Sequence, residues 1–312
     1  MQSGTPEIPA ARRRSLYGFQ VDAPDLGPGS DILEAQLTQR QTRERIGLEL
    51  ESRPESVSLV RSVLSAIADS TGLGQSLLND LKTAVSEACN NVVLHAYGVV
   101  PGQLLVTIEI LPTSIDINVR DHGRGIRQLA AEEGRMGLGL GLMTALSTRV
   151  EFRSPHDGGT EVRMSFERWM GADGSHRPAL PPADELPTEP VPTLPGSIVV
   201  HLSSPALIGP VFGRLARAVA ATSGFSVTRF HDLYPIADAL AEYASRAVEG
   251  PVSFSIDSSR RIMELVGGPF NEAPEVGAFG ELVDRISVER DNAGHTLLRM
   301  TLLDQAVGNR AS

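Results

Sequence analysis

The sequence predicts an α/β protein built from two similar halves. Two observations predict it. Segments of period two and of period near 3.6 alternate along residues 43–168. Parts of that pattern then return, after a proline-rich break, at a nearly fixed offset. A chain of 312 residues is long enough for two cores.

Taken in order, residues 1–42 carry frequent Pro and Gly, and Arg12-Arg13-Arg14 lacks apolar partners. They are expected to form a disordered or partly helical tail. A strand follows over Arg45–Ser52, where Ile46, Leu48 and Leu50 alternate with polar residues. Ser56–Ser70 reads as a helix with Val57, Val60, Val63, Leu64 and Ile67 on one side, broken at Thr71-Gly72-Leu73-Gly74. The next helix, Asn79–Tyr97, organises the chain: Leu77, Leu81, Ala84, Ala88 and Val92 recur at helical spacing. At about 100° per residue, Glu87 and Asn91 fall about 40° apart on the edge of that stripe. Such a helix on a sheet aims a carboxylate and an amide at whatever lies beside it. On this helix alone, a solvated Glu and a surface Asn satisfy the pattern equally.

Strands are expected over Leu104–Leu111 and Ser114–Arg120. In the second, Ile115, Ile117 and Val119 share a face, and the period of two puts Asp121 on it. Asp121-His122-Gly123-Arg124-Gly125 therefore carries a carboxylate inward from a strand end. An inward carboxylate needs a donor, and the exocyclic amine of adenine is one; an ordinary Asp-x-Gly turn is the other reading. Gly134-Arg135-Met136-Gly137-Leu138-Gly139 leads into a helix expected over Leu140–Thr148. Exposed N–H groups at a helix start bind anions, and glycines allow close approach. It is not the dinucleotide fingerprint, because, counted from Gly137, Leu142 stands where its third glycine belongs. Strand Val150–Arg153, turn Ser154–Gly158 and a strand beginning Gly159-Thr160-Glu161 close this half. Between Gly171 and Pro195 lie seven prolines, which read as an extended, semi-rigid linker.

Beyond the linker, Ser223-Gly224-Phe225 follows Thr71-Gly72-Leu73 by 152 positions, and Asp232-Leu233 follows Asp80-Leu81 by the same interval. Gly294-His295-Thr296-Leu297-Leu298-Arg299-Met300 follows Gly158–Met164 by 136. At these offsets Glu87 meets Ala239, Asn91 meets Tyr243, Gly137 meets Ala273 and Gly139 meets Glu275. Leu265-Val266-Gly267-Gly268-Pro269-Phe270 has no aspartate at its strand end. The second half is expected to repeat the fold without the site; an unrelated α/β domain with chance similarity is the alternative.

The formal charge of −10 argues against a nucleic-acid partner. Lys82, the only lysine, lacks the context of a phosphate-binding P-loop. Cys89, the only cysteine, reads as a small core residue. With no disulfide framework and no Cys/His zinc spacing, a reducing cytoplasm is the expected compartment. No apolar run suggests a membrane partner.

Glu-x-x-x-Asn on a helix, Asp-x-Gly-x-Gly after a strand, Gly-x-Gly before a helix and Gly-Thr on a strand, in that order, resemble the histidine-kinase-like (Bergerat-fold) ATPases. The wording from Ala84 to Tyr97 and at Arg135-Met136-Gly137-Leu138-Gly139 is similar to the anti-sigma factor serine/threonine kinases. That resemblance covers about residues 43–168 and implies a two-layer α/β sandwich, a mixed sheet with helices on one face. Domains would be 43–168 for the ATPase, 169–196 for the linker, 197–305 for a degenerate copy and 306–312 for a tail. The resemblance implies ATP and Mg²⁺ as cofactors: Asn91 would hold Mg²⁺, Asp121 would accept from the adenine amine with Thr160 behind it, and Gly123 and Gly125 would leave room for the base. Gly137 and Gly139 would offer N–H groups to phosphates, and Arg135 would reach the terminal phosphate. Glu87 would be the general base for an attacking serine, and His95 would pack or cap the helix end. The implied partners are a sigma factor and a STAS-domain anti-anti-sigma protein. Kinases of this kind usually pair as homodimers, and one reading has the degenerate copy serve as an intramolecular dimer partner. Two other functions compete: an ATP-dependent binding module without phosphotransfer, and a catalytic fragment of a two-component sensor. Glu87 favours the kinase over the first, since binding alone needs no base. The absence of a histidine before His95 counts against the second.

Overall fold

The computed structural model describes residues 43–125, 138–168, 194, 196–248, 250–259, 261–274, 279–280, 282–291 and 294–304. Strand β1 (Glu44–Glu51) buries Ile46, Leu48 and Leu50, as its alternation requires. Helix α1 (Pro54–Thr71) starts on a proline and ends at Gly72, whose left-handed φ of 66° lets its N–H return to the Ala68 carbonyl. Helix α2 (Gln75–Asn91) begins four residues earlier than its apolar pattern suggests, because Gly74 holds the extended entry and its carbonyl accepts from Leu78 N–H. At its far end Val92–Ala96 widen into a single π-helical turn.

The first half continues through β2 (Gln103–Ile110), β3 (Ser114–Asp121), α3 (Leu138–Leu146), β4 (Arg149–Arg153) and β5 (Glu161–Glu167). The second runs β6 (Ile198–Leu202), α4 (Gly213–Thr222), α5 (Val227–Ala247), β7 (Val252–Ser259), β8 (Ile262–Phe270), β9 (Arg285–Arg290) and β10 (Thr296–Leu303). Short turns over Pro205–Leu207 and Ile208–Phe212 lead into α4.

All ten described strands join one sheet in the order β4-β5-β3-β2-β1-β6-β7-β8-β10-β9. Counted outward from the β1–β6 pair, each strand of the first half has a counterpart of the same rank in the second. The sheet is not the expected mixed one but is antiparallel at each pairing of the described strands. β4 runs in the same direction as β3, but β5 lies between them, so every hydrogen-bonded pair is antiparallel. Helices line the face that carries Ile46, Leu48, Ile108, Ile117 and Met164, making two layers. The opposite face is polar: Ser165 donates to Asp116, Asn118 donates to Glu161 at 2.8 Å, and Arg163 pairs with Glu161 at 2.9 Å.

The halves meet backbone to backbone. β1 and β6 pair antiparallel from Ile46 opposite Leu202 to Leu50 opposite Ile198. On the polar face of that seam, His201 bridges Glu49 (3.0 Å) and Ser253 (2.8 Å), and its hydrogen bond holds the Glu49 carboxyl below the usual range. On the helical face α1 packs on α4, with Arg214 and Asp69 paired at 2.8 Å. Buried side chains of both halves form one continuous core.

Candidate functional site

Ile115, Ile117, Val119 and Asp121 do share the buried face of β3, and Asp121 is only 2% exposed. Its N–H donates to the Thr160 carbonyl at 2.9 Å, and its Oδ1 accepts from Gly123 N–H at 2.7 Å. The Thr160 hydroxyl adds a further bond. Burial outweighs these donors and holds the Asp121 carboxyl above the usual aspartate range. A carboxylate has about four acceptor positions, so an N–H donor arriving here relieves charge that the protein leaves under-compensated.

The turn beyond it is shaped by close backbone approach. A Cβ on Gly123 would lie 2.1 Å from the Ala96 carbonyl oxygen, and one on Gly125 would lie 3.1 Å from the Gly159 oxygen. Both were expected to make room for a base. The nearest occupants of that room are the protein's own carbonyls, because the turn is pressed between a helix end and the β4–β5 hairpin. Gly159 is the tightest point: its φ is +79°, and a Cβ there would sit 1.9 Å from the Asp121 carbonyl oxygen.

The pair on α2 comes to the same place by another route. Helices α2 and α3 pack together, and a Cβ on Gly139 would lie 2.9 Å from Glu87 Oε2. The Glu87 carboxylate thus rests against the first turn of α3, where N–H groups lack intrahelical acceptors. One turn further, half-buried Asn91 ends α2. The π-helical turn after it is tied to the aspartate turn: Arg124 N–H donates to the Ala96 carbonyl at 2.9 Å, and His122 N–H donates to the Tyr97 hydroxyl at 2.9 Å. Among the described residues no three His, Cys, Asp or Glu side chains converge. Among those residues a metal would therefore have no all-protein cage and would need one amide oxygen plus oxygens of a ligand, as a hard cation accepts.

Glu87 is therefore brought to Gly139, Asp121 to Gly123 and Thr160, and Gly125 to Gly159, with Asn91 on the helix linking these groups. His95 is half-buried in the turn after α2. The expectations for Arg135 and Gly137 lie outside the described residues. Gly159 and Tyr97 were not among the residues expected from sequence. Gly159 had a signal in the doubled glycine before Thr160. Tyr97 had a signal only as the last residue of the family wording that begins at Ala84, since it lies past the last periodic residue of its helix.

A model of the histidine kinase-like ATPase domain matches residues 50–166. An anti-sigma F factor of Caldanaerobacter subterraneus subsp. tengcongensis is 33% identical over 124 residues, covering 36% of this chain and 87% of that protein. The chain belongs to the anti-sigma factor kinase family of histidine kinase-like ATPases. A second relative, the serine-protein kinase RsbW of Bacillus cereus, is 28% identical over 136 residues, covering 39% of this chain and 84% of that one. A solved structure of the RsbU and RsbW domains of Rv1364c from Mycobacterium tuberculosis shares 22% identity over 40% of this chain and 33% of that one, with a TM-score of 0.32. The match to the anti-sigma factor kinase family thus lies in the first half. No described helix is long and apolar enough to cross a membrane.

In the second half, rings gather at the positions that stand at matching offsets. Tyr243 stands 152 positions after Asn91, and Phe270 lies opposite Thr296 much as Asp121 lies beside Thr160. Their ring centroids are 4.7 Å apart, Phe279 meets Tyr243 edge-on at 6.3 Å, and the Tyr243 hydroxyl donates to the Glu272 carbonyl.

Proposed function

We propose that the chain is an ATP- and Mg²⁺-dependent serine kinase of the anti-sigma type, acting in the cytoplasm on a STAS-domain anti-anti-sigma protein while binding a sigma factor. The observation that carries this reading is that one helix presents Glu87 to the glycine start of α3 and is bonded at its end to the turn bearing buried Asp121. Asp121, backed by Thr160, accepts from the adenine amine. Asn91 offers its amide oxygen to Mg²⁺. Gly139, with Gly137 before it, presents N–H groups to the phosphates, and Arg135 donates to the terminal one. Glu87 takes the proton from the attacking serine hydroxyl, a role worth about 10²–10⁴ in rate. Bound Mg²⁺-ATP supplies the phosphoryl group; positioning and charge are what the protein adds.

Residues 197–305 are read as a degenerate copy that completes the sheet in the manner of a second protomer. The matching rank of strands about the β1–β6 seam supports this, as does a ring cluster where a site would be. The chain should then be monomeric at all concentrations by light scattering; a dimer formed through residues 43–168 would remove the reading.

Labelled ATP incubated with the chain and a STAS-domain protein tests the enzymatic role. Label on a partner serine, lost in Glu87→Ala, supports it. Calorimetric Mg²⁺-ATP binding that is lost in Asn91→Ala, without any label transfer, would instead leave an ATP-dependent binding module. No ATP binding at all would remove both.

A further inference from the structure

We propose that Tyr97 is a positioning residue for base recognition, its hydroxyl setting the separation of two strand ends and thereby the placement of the Asp121 carboxylate. This rests on the nucleotide reading above. In the β2–β3 ladder Leu104 lies opposite Asp121, so the next rung would join Gln103 and His122. That rung is replaced. The Tyr97 hydroxyl donates to the Gln103 carbonyl at 2.7 Å and accepts from His122 N–H at 2.9 Å, standing between the two backbones. Antiparallel neighbours that bond directly lie about 5 Å apart; an inserted hydroxyl keeps these two spread. The spread begins one residue past Asp121, whose own N–H is anchored to Thr160 on the other side.

The surroundings are cut to fit the ring. A Cβ on Gly102 would lie 2.1 Å from Tyr97 Cε1, so only glycine lets the ring lie there. Tyr97 also follows Ala96, whose carbonyl accepts from Arg124 N–H. One residue therefore links the helix of Glu87 and Asn91, the start of β2 and the turn after Asp121. Without the hydroxyl, His122 N–H and the Gln103 carbonyl can close on each other and draw the aspartate turn with them.

The test is Tyr97→Phe, which keeps the ring, read by calorimetry with Mg²⁺ and either ATP or inosine triphosphate, which lacks the exocyclic amine. The wild type should prefer ATP. In the variant that preference should fall about five-fold, the scale of one backbone hydrogen bond, with inosine triphosphate affinity unchanged within about two-fold. An unchanged preference in Tyr97→Phe overturns the proposal alone. So does an equal loss of both nucleotides together with a lower melting temperature, the signature of a merely structural role. A wild type that binds neither nucleotide overturns the nucleotide reading as well.

Discussion

Replacing Gly159 by alanine tests how tightly the aspartate turn is built, and Gly158 is its internal control. Both glycines have positive φ, +94° at 158 and +79° at 159, so alanine at either costs about 1–2 kcal/mol in backbone strain. They differ in what the new Cβ meets. At Gly158 nothing lies within 4 Å, whereas at Gly159 the Asp121 carbonyl oxygen lies 1.9 Å away. That oxygen belongs to a strand end and cannot swing aside as a side chain would. Overpacking of this kind costs about a further 1–3 kcal/mol. Gly158→Ala should then destabilise by about 1–2 kcal/mol and Gly159→Ala by about 2–5 kcal/mol. Urea unfolding at unchanged m-value gives both numbers, and Mg²⁺-ATP calorimetry should show weakened binding only for Gly159→Ala. Two variants equal within about 0.5 kcal/mol, the scatter expected of an uncrowded surface site, would refute the crowding at Gly159.

Four further outcomes follow from the same geometry. Glu87→Gln should lower partner-serine phosphorylation by about 10²–10⁴-fold with ATP affinity preserved; a loss below ten-fold in single-turnover assays would remove Glu87 as the base. Asp121 titrates above an ordinary aspartate because it is buried, and binding the adenine amine needs its ionised form, so ATP affinity should begin to fall on acidification at a higher pH than an exposed aspartate would set. For stability the sign is reversed: a raised folded pKa favours the fold below the unfolded pKa, and that benefit is lost as pH rises through the folded value. Asp121→Asn should therefore be at least as stable as wild type at neutral pH, by thermal unfolding, while losing adenine preference. Finally, Tyr243→Ala should cost about 3–5 kcal/mol through the cavity it leaves and keep one nucleotide per chain by calorimetric stoichiometry. A second bound nucleotide in the wild type would contradict the filled second half.

Periodicity carried the fold well where one face is buried. Ile46, Leu48 and Leu50, and the run from Ile115 to Asp121, alternate because the sheet has one apolar and one polar side. The same rule placed the Asp121 carboxyl inside from a single residue's register. Element ends were less legible: α2 starts at Gln75 because Gly74 caps it, and no apolar repeat reports a cap. The seam was invisible for a related reason. β1 and β6 look like ordinary strands, and nothing in Ile198–Leu202 says which neighbour it will take. At the site, side chains announced themselves but backbone did not. Gly123 was legible as a turn residue, yet its close approach to the Ala96 carbonyl and the bridging Tyr97 hydroxyl depend on contacts between segments distant in sequence.

The antiparallel pairing of β1 with β6 has a consequence for how such a molecule can change over generations. When two identical chains associate, every substitution appears on both sides of the axis, and a ring that plugs one cavity plugs the other. Here each substitution occurs once. On the proposed reading of residues 197–305 as a degenerate copy, a tyrosine at 243 and an asparagine at 91 stand in one chain, so a single gene holds a nucleotide-binding side and a filled one in a fixed ratio of one to one.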